Sequence, residues 1–153
     1  MRDLFLGLGS NLGDRAAYIS LAWQGFSAIP GVQAIALSTV LDTAPVGGPV
    51  GQPRFLNAVA HFQTSLSAAT LLAHALRIEA DHGRERAVLQ GPRTIDIDIL
   101  ILGDETHDLP HLVIPHPRMH LRDFVMKPLA EIAPSVAARF LAQTALHSHD
   151  SIS

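Results

Sequence analysis

Apolar and polar residues alternate along Ile95-Asp96-Ile97-Asp98-Ile99-Leu100-Ile101, and this two-residue period in β-branched residues predicts a strand. Ile95, Ile97, Ile99 and Ile101 then share one face, and Asp96 and Asp98 point to the other. Leu4 to Gly9 reads as a short apolar strand ending in the turn Gly9-Ser10-Asn11-Leu12-Gly13-Asp14. Ile19, Ala22, Trp23, Phe26 and Ile29 recur at helical spacing, with Asp14 as N-cap and Pro30-Gly31 as the stop. Val32 to Leu41 predicts a second strand. Phe55 to Thr64 predicts a third, with Phe55, Asn57, Val59 and His61 on one face. The Pro- and Gly-rich stretch from Thr43 to Pro53 between them argues against regular structure. Ser67 caps a second helix running to about His82, with Gly83 as its C′ stop, and the polar Gly83 to Pro92 reads as a loop. Gly103-Asp104 predicts a turn and Leu109 to Pro117 an extended stretch. Arg118 to Leu129 predicts a helix ended by Pro128, and Ser135 to His147 a weak helix.

Strand–helix–strand–strand–helix–strand is the split βαβ order. It predicts an α+β ferredoxin-like sandwich, a mainly antiparallel sheet with helices packed on its faces. With 153 residues, 48% of them apolar, the chain reads as a single domain over 1–153, without repeat or boundary. A net charge of −3 argues against nucleic acid as partner, and no apolar run approaches a membrane span. The start lacks a signal-peptide pattern. The chain has no cysteine, which excludes disulfides and thiolate metal sites and fits a cytoplasmic setting.

Asp96 and Asp98 are the chemical oddity. Asp is depleted in strands, and these two sit about 7 Å apart along one face. At an effective dielectric of about 20 their repulsion is about 2–3 kcal/mol. A cation between them turns that penalty into a binding site, and hard oxygen ligands of this kind suit Mg²⁺ together with substrate phosphates. The alternative is a solvated strand edge with two surface aspartates. Arg84, Arg86, Arg93 and Arg122 bracket the strand, either as a solvated face or as partners of a polyphosphate. Phe55 and Asn57, with main chain from Thr43 to Val46, can hold a flat heterocycle, although taken alone they fit core packing better. Gly7-Leu8-Gly9-Ser10-Asn11-Leu12-Gly13 lacks the third glycine of a dinucleotide fingerprint and the lysine of a P-loop, so it reads as a tight turn. His116 and His120 are spaced like zinc ligands, but Pro117 stands where the general-base glutamate would be.

Together these pieces resemble the 6-hydroxymethyl-7,8-dihydropterin pyrophosphokinase family of folate biosynthesis, over roughly Leu6 to Pro134, with a divergent tail. The resemblance rests on Leu8-Gly-Ser-Asn-Leu-Gly-Asp14, Phe55-Leu-Asn57-Ala, Arg77-Ile-Glu79, Gly91-Pro-Arg-Thr-Ile-Asp-Ile-Asp98, Ile114-Pro-His116, Arg122-Asp-Phe124-Val and Pro128-Leu-Ala-Glu-Ile-Ala-Pro134. It implies that Asp96 and Asp98 hold two Mg²⁺ ions between ATP and the substrate hydroxymethyl group. By the same resemblance, Arg84 and Arg93 contact the phosphates during transfer. His116, Arg122 and Arg86 hold ATP, and main chain near Ile99 meets the adenine. Phe55 and Phe124 sandwich the pterin, with Asn57 and main chain of Thr43, Ala44 and Val46 reading its edge.

The chain departs from the family pattern at several positions. Ala44 replaces a frequent proline, and Leu76, Val113, Pro117 and His111 differ near the nucleotide. The Gly83–Pro92 loop is one residue shorter and lacks a lysine and a tryptophan. The resemblance implies a cytoplasmic, monomeric enzyme that moves diphosphate from ATP to the pterin. Two rivals are another two-metal phosphoryl or nucleotidyl transferase and a non-catalytic pterin- or nucleotide-binding relative. No residue stands out as a general base.

Overall fold

The computed structural model describes residues 1–11, 13–44, 54–82 and 95–142. The strands are β1 (Arg2–Ser10), β2 (Val32–Leu37), β3 (Leu41–Thr43), β4 (Phe55–Thr64), β5 (Asp96–Leu102), β6 (His107–Leu109) and β7 (Leu112–Ile114). The helices are α1 (Arg15–Ser27), α2 (Ala68–Asp81) and α3 (Asp123–Ile132), with a 3-10 turn at Met119–Leu121 and further helix over 134–142. The main sheet is antiparallel in the order β2-β4-β1-β5, and β3 pairs with β4. That is the ferredoxin-like α+β order expected from the element sequence.

Strand alternation builds two cores. Leu4, Leu6 and Leu8 of β1, Ala58, Ala60 and Phe62 of β4, and Ile97 and Ile99 of β5 pack under α1 and α2. Phe26 and Trp23 of α1 meet Phe62 with ring centroids 5.7 and 5.1 Å apart. Phe5, Val59, Leu100 and Ile101 form the other core with Val125, Met126 and Leu129 of α3. Asp14 caps α1 through the Ala17 N–H and Ser67 caps α2 through the Thr70 N–H, as their residue types predict.

Several expectations change. Strand β1 continues through Gly9 and Ser10, so Gly7 and Gly9 belong to the sheet, and of the glycines in the expected tight turn only Gly13, at φ 70°, lies in the bend before α1. Residues 32–41 are not one strand. Ser38 Oγ takes the Val59 N–H that a backbone carbonyl would otherwise accept, and pairing resumes only at β3. Ile101 does not share a face with Ile95, Ile97 and Ile99, because the β1–β5 register shifts between Phe5 and Leu6. Leu100 is the extra residue, and this bulge turns Ile101 toward Phe5 and the α3 side. Pro128 does not end its helix but lies inside α3. It forfeits one backbone hydrogen bond, and burial of Val125, Met126 and Leu129 carries the helix past it. Leu109 to Pro117 is not a single extended run: it holds the end of β6, the turn and β7 of a hairpin that begins at His107. Gly83 and the Gly83–Pro92 loop lie outside the described residues.

Candidate active site

Five elements meet at one end of the sheet, on the face that also carries α3. β1 and β5 pair so that Gly7 is opposite Asp98 and Gly9 opposite Asp96. On its other side Gly9 is opposite Asn57 of β4, so Asn57, Gly9 and Asp96 form a row across three strands. Two positions without side chains between the polar residues leave a hollow in the sheet. The hollow opens into a cleft of about 670 Å³ lined also by Thr43, Ala44, Phe55, Arg122, Asp123 and Phe124.

Most of the residues proposed from sequence converge here. Thr43, Ala44, Phe55, Asn57, Asp96, Asp98, Arg122 and Phe124 all line this cleft. Asn57 is buried, and its Nδ2 donates to the Thr43 hydroxyl at 2.8 Å, which ties β4 to β3. That bond leaves the Asn57 Oδ1 side of the amide toward Gly9, where an added Cβ would lie 3.1 Å from it. Phe55 and Phe124 are half-buried, and the Arg122 guanidinium carbon lies 5.7 Å from the Phe124 ring centre. Val46, Arg84, Arg86 and Arg93 lie outside the described residues.

Ile99 and His116 stand apart, at the outer edge of β5. The Ile99 side chain is buried in the core under α1 and α2. The Ile97 N–H points away from β1 and donates to Glu79 Oε2 at 2.9 Å. By strand alternation, Ile99 turns its own N–H and C=O to that same edge. At the bulge the Leu100 carbonyl accepts the His116 N–H at 2.9 Å. Burial, with Arg122 and Arg118 nearby, holds the His116 imidazole below its ordinary pKa, so the ring is neutral at pH 7. Its Nδ1 accepts the Arg118 N–H at 3.2 Å, which puts the ring proton on Nε2 as a donor.

Sequence reasoning did not assign roles to Gly7, Gly9, Glu79 or Asp123. The Gly-x-Gly alternation within an apolar strand was the available signal for the first two. Glu79 lies on the same helical stripe as Leu71 and Ala75 and is 3% exposed. A carboxylate on a buried stripe signals a specific partner, here the edge of β5.

Among the described residues lining the cleft, three carboxylates (Asp96, Asp98 and Asp123) are set against one guanidinium, Arg122. Asp96 and Asp98 are hard oxygen donors on one face of β5, and no group of three or more candidate ligands forms a ready-made cage among the described residues. That donor set suits Mg²⁺, which binds through one or two carboxylates and completes its shell with water and phosphate oxygens.

A sequence model of the 7,8-dihydro-6-hydroxymethylpterin-pyrophosphokinase family matches residues 5–134. A 2-amino-4-hydroxy-6-hydroxymethyldihydropteridine pyrophosphokinase from Pseudomonas aeruginosa is 41% identical over 136 residues, covering 89% of this chain and 83% of that protein. Proteins of the same name from Bacillus subtilis and Methylorubrum extorquens are 41% and 43% identical, covering 86% and 89% of this chain and 78% and 85% of their own lengths. The match runs from within β1 to beyond α3 and includes all the described residues that line the cleft. The chain belongs to the 7,8-dihydro-6-hydroxymethylpterin-pyrophosphokinase family.

Proposed function

We propose that this chain transfers diphosphate from ATP to the hydroxymethyl group of 6-hydroxymethyl-7,8-dihydropterin in folate biosynthesis, with Mg²⁺ as its cofactor. The supporting observation is the row Asn57–Gly9–Asp96, which sets an amide suited to the edge of a heterocycle and a carboxylate suited to a metal on opposite sides of one hollow. Phe55 and Phe124 supply aromatic faces for the flat ring, and Asn57 with the main chain at Thr43, Ala44 and Val46 reads its polar edge. Ring binding there directs the hydroxymethyl group along the hollow toward Asp96 and Asp98. The hydroxyl oxygen attacks the β-phosphorus of ATP, and the bond to the α-phosphate oxygen breaks to release AMP.

Arg122 and the His116 Nε2–H are donors suited to the nucleotide phosphates, and the outer edge at Ile99 suits the adenine. The family resemblance gives Arg86 to the same nucleotide and Arg84 and Arg93 to the phosphates during transfer. Two Mg²⁺ ions held by Asp96 and Asp98 would neutralise phosphate charge. Catalysis of this type rests on positioning and charge neutralisation more than on a strong base. The family resemblance implies a monomer as the working unit, and dependence on ATP supports a cytoplasmic setting. No described helix is long and apolar enough to cross a membrane. A different two-metal phosphoryl or nucleotidyl transferase would have no use for Phe55, Asn57 and Phe124 around one cleft.

The test is to combine protein, ATP, Mg²⁺ and 6-hydroxymethyl-7,8-dihydropterin and follow AMP and the pterin diphosphate. Formation of both, in equal amounts and only with all components present, is expected. AMP release that does not require the pterin would overturn the reading, as would no AMP at all.

A further inference from the structure

The wall of the cleft that carries Thr43 is anchored to the helix that carries Phe124. Ser38, just after β2, is still hydrogen-bonded to the sheet: its N–H donates to the Val59 carbonyl at 3.0 Å and its Oγ accepts the Val59 N–H at 2.9 Å. Thr39 then leaves the ladder. Its N–H donates to both Glu131 carboxylate oxygens, at 3.1 and 2.7 Å, and its hydroxyl donates to Oε1. Glu131 lies in the last turn of α3, and Arg122 and Phe124 stand at the start of that same helix. The three-residue β3 follows directly, and its one strand partner among the described residues is β4.

We propose that Glu131 is a positioning residue for the pterin end of the cleft, fixing the Thr43–Ala44 wall against α3 through its two-oxygen hold on Thr39. The proposal rests on the pterin reading given above. From Asp123 to Glu131 a helix is a rigid rod of about 12 Å. With α3 seated by Val125, Met126 and Leu129, its two ends fix both walls at once: Phe124 at the start and, through Thr39, the chain leading to Thr43 at the finish. Thr39 and Glu131 are both exposed, so the clasp buries no apolar surface and contributes little to global stability. Its effect is on geometry. The Thr39 hydroxyl and N–H bonds hold the Glu131 carboxyl below the usual carboxylate range, so it stays ionised.

The experiment compares Glu131→Ala, Glu131→Gln and Thr39→Ser with the wild type by steady-state kinetics in both substrates. Amide hydrogen exchange of the free protein is measured alongside. Loss of the charged acceptor in Glu131→Ala should raise KM for the pterin about tenfold, with kcat and KM for ATP changed less than about twofold. Thr39→Ser, which keeps both donors, should behave as wild type, and Glu131→Gln should fall between. Amides of Leu41 to Thr43 should exchange faster in Glu131→Ala, while those of Val59 to Phe62 stay protected. An unchanged pterin KM in an active enzyme overturns the positioning role alone. A parallel rise in both KM values with loss of β4 protection also overturns it, by marking a purely structural role. A wild type that makes no AMP overturns the pterin reading, and the positioning role with it.

Discussion

Gly9 faces Asn57 across the β1–β4 ladder, and a side chain begun at Gly9 would stand 3.1 Å from the Asn57 amide oxygen. Asn57 has little room to retreat, because its Nδ2 is already bonded to Thr43. The glycine is therefore required by close approach rather than by a turn. Gly9→Ala should keep the fold and raise KM for the pterin by about tenfold, through a displaced amide. Circular dichroism and two-substrate kinetics check this. An alanine variant with wild-type pterin KM would show that Asn57 Oδ1 does not read the ligand.

Asn57→Ala removes the amide altogether. Pterin binding should weaken by about 1–3 kcal/mol, since a polar edge of the ring is left unsatisfied in a buried site. ATP affinity should change little, because Asn57 lies across Gly9 from Asp96 and away from the outer edge of β5. Calorimetry with each ligand separates the two. Equal losses for both would make Asn57 a structural residue.

Asp96→Ala and Asp98→Ala should each lower turnover by about three orders of magnitude, because each would remove a proposed ligand of the charge-neutralising Mg²⁺. Their strand should survive, since Ile97 and Ile99 stay buried and the ladder with β1 uses main chain. Activity titrated against Mg²⁺, with thermal unfolding as control, is the measurement. Full Mg²⁺-dependent turnover in either variant would contradict the metal assignment.

His116 offers a test by pH. Burial, then Arg122 and Arg118, lower its pKa, so the unfolded chain binds this proton more readily than the folded one. Its contribution to stability is complete above about pH 6.5 and is lost as pH falls through the lower, folded value. An NMR titration of the free protein should give His116 a midpoint below that of a histidine in an unfolded peptide. Nitrogen shifts should show the proton on Nε2. A midpoint above the peptide value would place an unrecognised anion beside the ring.

Elements whose signals are local were legible from sequence. Alternation marked β4 from Phe55 to Thr64 at its observed bounds, and Asp14 and Ser67 announced the caps of α1 and α2. The Asp96/Asp98 pair stood out because two like charges on an Ile-rich strand are costly without a counterion. Phe55 and Asn57 gave no such signal by themselves, since an aromatic and an amide on a strand face also suit a core.

What a residue meets across strands or between layers is set by tertiary pairing, not by near neighbours in the chain. Gly7 and Gly9, near the end of a strand that runs into a turn, carried no role until pairing with β5 set them opposite Asp98 and Asp96. The bulge at Leu100 moved Ile101 to the other core, an extra residue that strict alternation cannot register. Pro128 carried a helix-stop signal that burial along α3 outweighed, because packing energy from several side chains exceeds one lost hydrogen bond. Glu131 joined Thr39 across 92 positions in the chain, a pairing that only the docking of α3 on the sheet creates. Composition and period thus determined the elements and the chemistry they carry, whereas register and packing decided which of those groups share one cleft.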